Sequence, residues 1–133
     1  MKITINDNRR IFAIQETFSK NFPYLKLEFF AKGHQHAGPL TKKFIKHPGE
    51  TLGECRTVHN NGAITINGAM TVTELEQRFR DVYGLGVQVF RRSGKVWLET
   101  TVTDGWTLDE QNSQGESLSK YLADNKRMVD KDQ

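Results

Sequence analysis

Ile3-Thr4-Ile5-Asn6 and Ile64-Thr65-Ile66-Asn67 are the same four letters, 61 positions apart. The match runs on at that spacing. Ile11 falls on Val72, Ile14 on Leu75, Phe18 on Phe79 and Phe22 on Tyr83. Deleting one turn residue then sets Leu25, Leu27 and Phe29 on Leu85, Val87 and Val89. Two strings of about thirty residues therefore carry one pattern, the signature of an internal repeat.

Each string reads as strand, helix, strand. Residues 2–6 and 63–67 alternate apolar and polar, the period of a half-buried strand. The apolar spacing then becomes helical, through Ile11, Ile14, Phe18 and Phe22 in the first string and Val72, Leu75, Phe79 and Val82 in the second. Thr71 and Glu74 form a capping box, with Met70 placed to staple onto Leu75. Asp7 or Asn8 opens the first helix and Pro23 closes it, while Gly84 closes the second. Alternation resumes over residues 24–31 and 85–91.

Ser93-Gly94 hinges residues 85–91 to a fifth strand over 95–101, with Val96 and Leu98 on the helix side and Trp97 on the other. Thr107 and Glu110 make another capping box, opening a helical segment that Gly115 interrupts. Residues 124–133 are polar and read as a flexible tail. The sum is a single α+β domain over 1–123. The expected form is a ferredoxin-like tandem βαβ sandwich in one antiparallel sheet, with residues 2–6 and 63–67 as central strands and a C-terminal helical segment. A β-grasp arrangement of residues 62–112 is the alternative.

The residues Tyr83-Gly84-Leu85, Val87-Gln88-Val89-Phe90, Trp97-Leu98-Glu99-Thr100-Thr101, Trp106-Thr107-Leu108 and Glu110-Gln111-Asn112 resemble small bacterial proteins of a Bacteroidetes type. That resemblance spans most of the chain. It implies no activity and supplies no functional residues.

Composition limits the function classes. The chain has 133 residues, 36% hydrophobic and 26% charged, enough for one packed domain. Its single cysteine excludes an internal disulfide and fits a reducing compartment. No apolar run approaches the ~18 residues of a membrane span, and residues 1–5 lack the apolar core of a secretory signal. A cytoplasmic protein is expected. Residues 1–101 carry 15 basic and 9 acidic side chains, and 102–133 carry 4 and 7. The basic body fits acidic partners, and equally an ordinary solvated surface.

Residues 32–61 read as a loop insertion without counterpart in the second string. All four histidines and the cysteine lie there: His34, His36, His47, Cys55 and His59. His34 and His36 share a face on a strand, and Cys55 and His59 share one on a helix. These four are the candidate ligands of a zinc ion. Loop histidines without a ligand role are the competing reading. Cys55 with His59 or His36 also has the elements of a thiol–imidazole pair.

A candidate binding surface comprises Lys42, Lys43, Lys46 and Arg56 of the insertion with Arg91, Arg92, Trp97 and Trp106. Residues 2–6 and 63–67 carry no aromatic, which argues against base stacking on that sheet. Phosphate contact through the loops stays open. No nucleophile elbow, phosphate loop or dinucleotide fingerprint occurs. The expectation is a small non-enzymatic interaction or regulatory module without cofactor, its partner a protein or a second copy. The alternative is a metal- or nucleic-acid-binding protein acting through residues 32–61.

Overall fold

The computed structural model describes residues 1–31, 44–45, 47 and 49–131. The element order is β1 (Lys2–Ile5), α1 (Ile11–Asn21), β2 (Leu25–Phe29), a short 3-10 turn (Leu52–Cys55), β3 (Gly62–Thr65), α2 (Val72–Tyr83), β4 (Val87–Ser93), β5 (Val96–Glu99) and α3 (Leu108–Lys131). The class is α+β.

Alternation decides the strands. β1 buries Ile3 and Ile5 and exposes Lys2 and Thr4. β2 buries Leu25, Leu27 and Phe29. In α1 the stripe Ile11, Ile14 and Phe18 is buried, and in α2 the stripe Val72, Leu75, Phe79 and Tyr83. One continuous apolar cluster joins these rows, adding Met70, Leu85, Val87, Val89 and Leu108. α2 has both signals read from its sequence. Thr71 and Glu74 form a reciprocal capping box, and Gly84 ends the helix at φ 63°. α1 starts later than expected, at Ile11, and Arg10 gives it no side-chain cap. Its start is instead fixed from outside, where the Ile11 N–H donates to Glu50 O at 3.0 Å.

The strands form two sheets, β1-β3 and β2-β4-β5, all antiparallel. This differs from the single sheet of a ferredoxin-like sandwich. β1 and β3 pair as expected, but β2 pairs with β4. That register sets Leu27 opposite Val89 and Phe29 opposite Val87, so both apolar rows enter the same core. Nor do β3, α2, β4 and β5 close on themselves as a β-grasp would: β3 pairs with β1 instead.

Pairing follows the matched positions. Ile3 faces Ile64, and Glu28 faces Gln88. The correspondence extends beyond the two strings. Leu52 N–H donates to Arg9 O at 2.9 Å, and Leu108 N–H to Met70 O at 2.8 Å. Gly53 N–H donates to Asp7 O at 3.1 Å, and Asp109 N–H to Gly68 O at 3.0 Å. The isolated bridge Arg10–Thr51 is matched by Thr71–Thr107. Ile45 N–H on Phe29 O is matched by Thr100 N–H on Val89 O. Four backbone contacts made by Ile45, Thr51, Leu52 and Gly53, in the stretch 32–61 expected to lack a counterpart, thus have parallels at Thr100, Thr107, Leu108 and Asp109.

α3 is one helix through Gly115 and onward to Lys131, where an interruption and a tail were expected. Gly115 sits where the helix crosses the sheet. A Cβ there would meet Tyr24 Cβ at 2.9 Å and Arg92 O at 3.1 Å. Close approach, not a break, explains the glycine.

Candidate functional site

β4 and β5 form a hairpin at one side of the three-stranded sheet. Ser93 pairs with Val96 across a two-residue turn, and Gly94 takes φ 64° there. The turn is tied down. Gly94 N–H donates to Ser119 Oγ at 3.0 Å, and Arg92 Nε donates to Gly94 O at 2.8 Å. α3 packs along β4 and β2. β5 is the last strand of its sheet, and among the described residues no strand pairs with its outer edge. All four of its residues are exposed: Val96 at 60%, Trp97 at 37%, Leu98 at 42%, and Glu99. Apolar side chains thus stand on both faces of a free edge. Proteins ordinarily blunt such edges with shortness, charge, proline or a bulge; β5 is four residues long and flanked by Lys95 and Glu99, and it carries no proline.

Trp97 faces the side of the sheet away from the core. The Lys26 ammonium lies 5.0 Å from its ring centre and 5.3 Å from that of Phe90. Glu28 pairs with the same ammonium at 3.3 Å. Phe44 stacks on Phe30 at 4.8 Å and meets Phe90 edge-on at 5.7 Å. The surface is therefore mixed in charge and partly covered.

Trp106 lies on the other side. Adjacent strand residues point to opposite faces, so Arg91 points away from Arg92. The Arg91 guanidinium lies 5.5 Å above the Trp106 ring, and its Nη1 donates to Gln111 Oε1 at 2.9 Å. Arg91 and Trp106 on one face, Arg92 and Trp97 on the other, do not form one cleft. Lys42, Lys43 and Lys46 lie outside the described residues.

Arg56 corrects the expectation of a surface cation. It is 0% exposed and heads the fully buried side chains by size. Its Nε and Nη2 donate to Asp7 Oδ1 at 3.1 and 2.9 Å. Its Nη1 donates to the carbonyls of Asn60 and Tyr83 at 2.9 and 3.0 Å. The second of these closes the carboxyl end of α2, so Arg56 works as an internal clamp.

The histidine and cysteine set divides. His34 and His36 lie outside the described residues. Cys55 is buried in the core, its Sγ donating to Leu52 O at 3.3 Å. Burial, with Glu50's charge next, pushes its thiol up to about 11. Such a thiol is a weak nucleophile and a reluctant ligand. The helix expected to align Cys55 with His59 ends at Cys55. His59 is on the surface instead, its Nδ1 2.9 and 3.0 Å from the two Asp7 oxygens. Among the described residues, no three His, Cys, Asp or Glu side chains converge as metal ligands.

A cleft of about 690 Å³ lies between the β4–β5 turn and α3, lined in part by Tyr24, Arg92, Lys95, Lys120 and Leu122. Two of its cations are engaged within the fold. Lys120 Nζ is held by Glu116 at 2.6 Å, and Arg92 Nε by the turn.

Two features escaped the reading of the sequence. The exposed edge was legible in Lys95-Val96-Trp97-Leu98-Glu99, where a short strand after a tight turn carries large apolar residues at consecutive positions. The repeat of Thr51-Leu52-x-Glu54 as Thr107-Leu108-x-Glu110 was the signal for the longer correspondence. No helix among the described residues is long and apolar enough to cross a membrane. No protein-family model, curated protein or solved structure matches the chain.

Proposed function

We propose that this chain is a non-enzymatic protein-interaction module and that β5 is its docking element. The observation that carries the reading is the doubly apolar edge Val96-Trp97-Leu98, with which no strand pairs among the described residues. An unpaired strand edge recruits another strand through main-chain hydrogen bonds, while alternate side chains select the partner. The mixed charge around Lys26, Glu28 and Glu99 favours a protein over a polyanion. The lone thiol supports a cytoplasmic reading, since it suits a reducing compartment.

We also infer that the chain is a tandem duplication, each half a strand-helix-strand unit whose second strand and helix start are bonded to a later segment of the same half. The paired bonds of Leu52 with Leu108 and of Gly53 with Asp109 support it. In this reading Phe44 and Ile45 are the first-half counterpart of the β5 end. They are half-buried against Phe30 and Phe29.

The test is site-specific photo-crosslinking in living cells. A photoreactive amino acid in place of Val96 or Leu98 is expected to yield a covalent protein adduct. The same group at Phe12, exposed on α1, is expected to yield none. Equal yields at all three positions, or no adduct at β5, would overturn the reading.

A further inference from the structure

We propose that the cleft between the β4–β5 turn and α3 binds a small phosphate monoester carried on a flat aromatic body, as in a nucleoside monophosphate. The site uses the hairpin turn and not the β5 edge, since no residue of Val96–Glu99 lines it.

The walls are fixed without a ligand. Tyr24 N–H donates to Asn112 Oδ1 at 2.8 Å, and Tyr24 O accepts from Arg92 N–H at 2.9 Å. On the opposite wall Gly94 N–H donates to Ser119 Oγ at 3.0 Å. Leu122 Cδ1 lies 3.1 Å from where a Cβ on Gly94 would sit. The turn is thus seated on α3 at Ser119 and Leu122, beside a cleft of about 690 Å³. That volume falls in the ~300–1,000 Å³ range of small-molecule sites. Ser119 accepts the Gly94 bond and so keeps its own hydroxyl proton to donate.

Charge names the ligand class. Arg92, Lys95, Lys120 and Lys126 all line the cleft, and no described acidic residue does. This runs against the segment that supplies one wall, because residues 102–133 carry 7 acidic and 4 basic side chains. Helical spacing does the sorting. Ser119, Leu122, Ala123 and Lys126 fall at i, i+3, i+4 and i+7, on one face of α3. Arg92 Nε is held by Gly94 O and Lys120 by Glu116, while Asp124 on the same helix has a partner of its own. Exposed Lys95 and Lys126 have no ion-pair partner among the described residues. Two unneutralised ammoniums match the ~1.5–2 negative charges of a phosphate monoester at neutral pH.

Lysine is a point charge on a flexible stem and suits the oxygens of a phosphate, whereas a carboxylate is best met by the flat fork of a free arginine. The guanidinium here is anchored on the turn through its Nε. Inorganic phosphate alone would leave most of the cleft unfilled. Tyr24, Leu122 and Ala123 supply ring and aliphatic surface against which an aromatic body can lie.

The experiment is an amide NMR titration of the full chain with AMP, adenosine and inorganic phosphate as separate probes. AMP is expected to shift the amides of Gly94, Ser119 and Ala123 and to leave those of β1 in place. Adenosine and inorganic phosphate should each bind about tenfold more weakly or less, and added salt should weaken AMP. Lys95→Gln and Lys126→Gln should each weaken AMP about fivefold. Lys2→Gln, on β1 of the other sheet, should not. Both cleft lysines are exposed, so unchanged spectra away from the cleft will show that the variants fold. No shift at the cleft with millimolar AMP would overturn the proposal, as would equal weakening by Lys2→Gln. Inorganic phosphate binding as tightly as AMP would reduce the cleft to a basic patch and end the ester reading, and adenosine binding as tightly would remove the role of the lysines.

Discussion

Arg56 reaches across 49 residues of chain to place two N–H groups on a single oxygen of Asp7. The guanidinium is fully buried, while the carboxylate it meets is two-fifths exposed. The arginine also binds the carbonyls of Asn60 and Tyr83. One side chain thus ties the loop after β1, the segment before β3 and the end of α2 into one piece. Removing it (Arg56→Met) leaves buried acceptors without a donor and is expected to cost about 2–4 kcal/mol. Urea unfolding would measure it, and a cost under ~1 kcal/mol would mean that water replaces the clamp.

The same pair predicts an acid limb. His59's hydrogen bond, opposed by partial burial and reinforced by the hydrogen bond and charge of Arg56, holds the Asp7 carboxyl below its ordinary 3.8. A carboxyl depressed in the folded state contributes stability above its unfolded pKa. It loses that contribution as pH falls through the folded value. Asp7→Asn is therefore expected to be less stable than wild type at neutral pH, with the difference shrinking below pH 3.8. A difference independent of pH in urea melts would contradict this linkage.

Cys55 predicts an alkaline limb of opposite origin. Its thiol is raised to about 11 from an ordinary 9.0. Above pH 9.0 the unfolded chain ionises and the folded chain does not, so stability falls until the folded value is reached. Cys55→Ala should flatten that decline. Iodoacetamide at pH 8 should label the native thiol far more slowly than the urea-unfolded one. Equal labelling rates would show that the thiol is accessible in the folded protein.

Gly115→Ala sets helix propensity against packing. Alanine gains about 1 kcal/mol in a helix interior. Its Cβ, however, would meet Arg92 O at 3.1 Å and Tyr24 Cβ at 2.9 Å. Backbone and Cβ atoms yield less readily than a flexible side-chain end. A net loss of about 1–3 kcal/mol is expected, and thermal melts showing stabilisation would mean that α3 lifts off β4 without penalty.

Phe18 and Phe79 occupy matched helix positions, and both are fully buried. Phe18 packs on Phe22 at 5.3 Å, and Phe79 meets Phe29 edge-on at 6.1 Å. Each replacement by alanine is expected to cost about 3–5 kcal/mol in urea unfolding. A loss below ~1 kcal/mol at either position would contradict its place in the core.

The sequence by itself determined what is local and periodic. Alternation over residues 2–5, 25–29 and 87–91, helical spacing in 11–21 and 72–83, the Thr71–Glu74 and Thr107–Glu110 boxes and the Gly84 stop are read within one or two turns of chain. The buried rows follow, because each apolar stripe has one face to hide. Tertiary structure alone decided the rest. Whether β2 flanks β3 or joins β4 depends on which edges meet, and both choices bury Leu27 and Phe29. Arg56 looks like a surface cation until Asp7 and two carbonyls from distant segments surround it. Gly115 looks like a helix stop until β4 lies against it. The outward edge of β5 depends on hairpin register, and its exposure on α3 packing along β4 and β2. These outcomes belong to pairs of segments far apart in the chain, and no local period encodes a partner that only folding brings near.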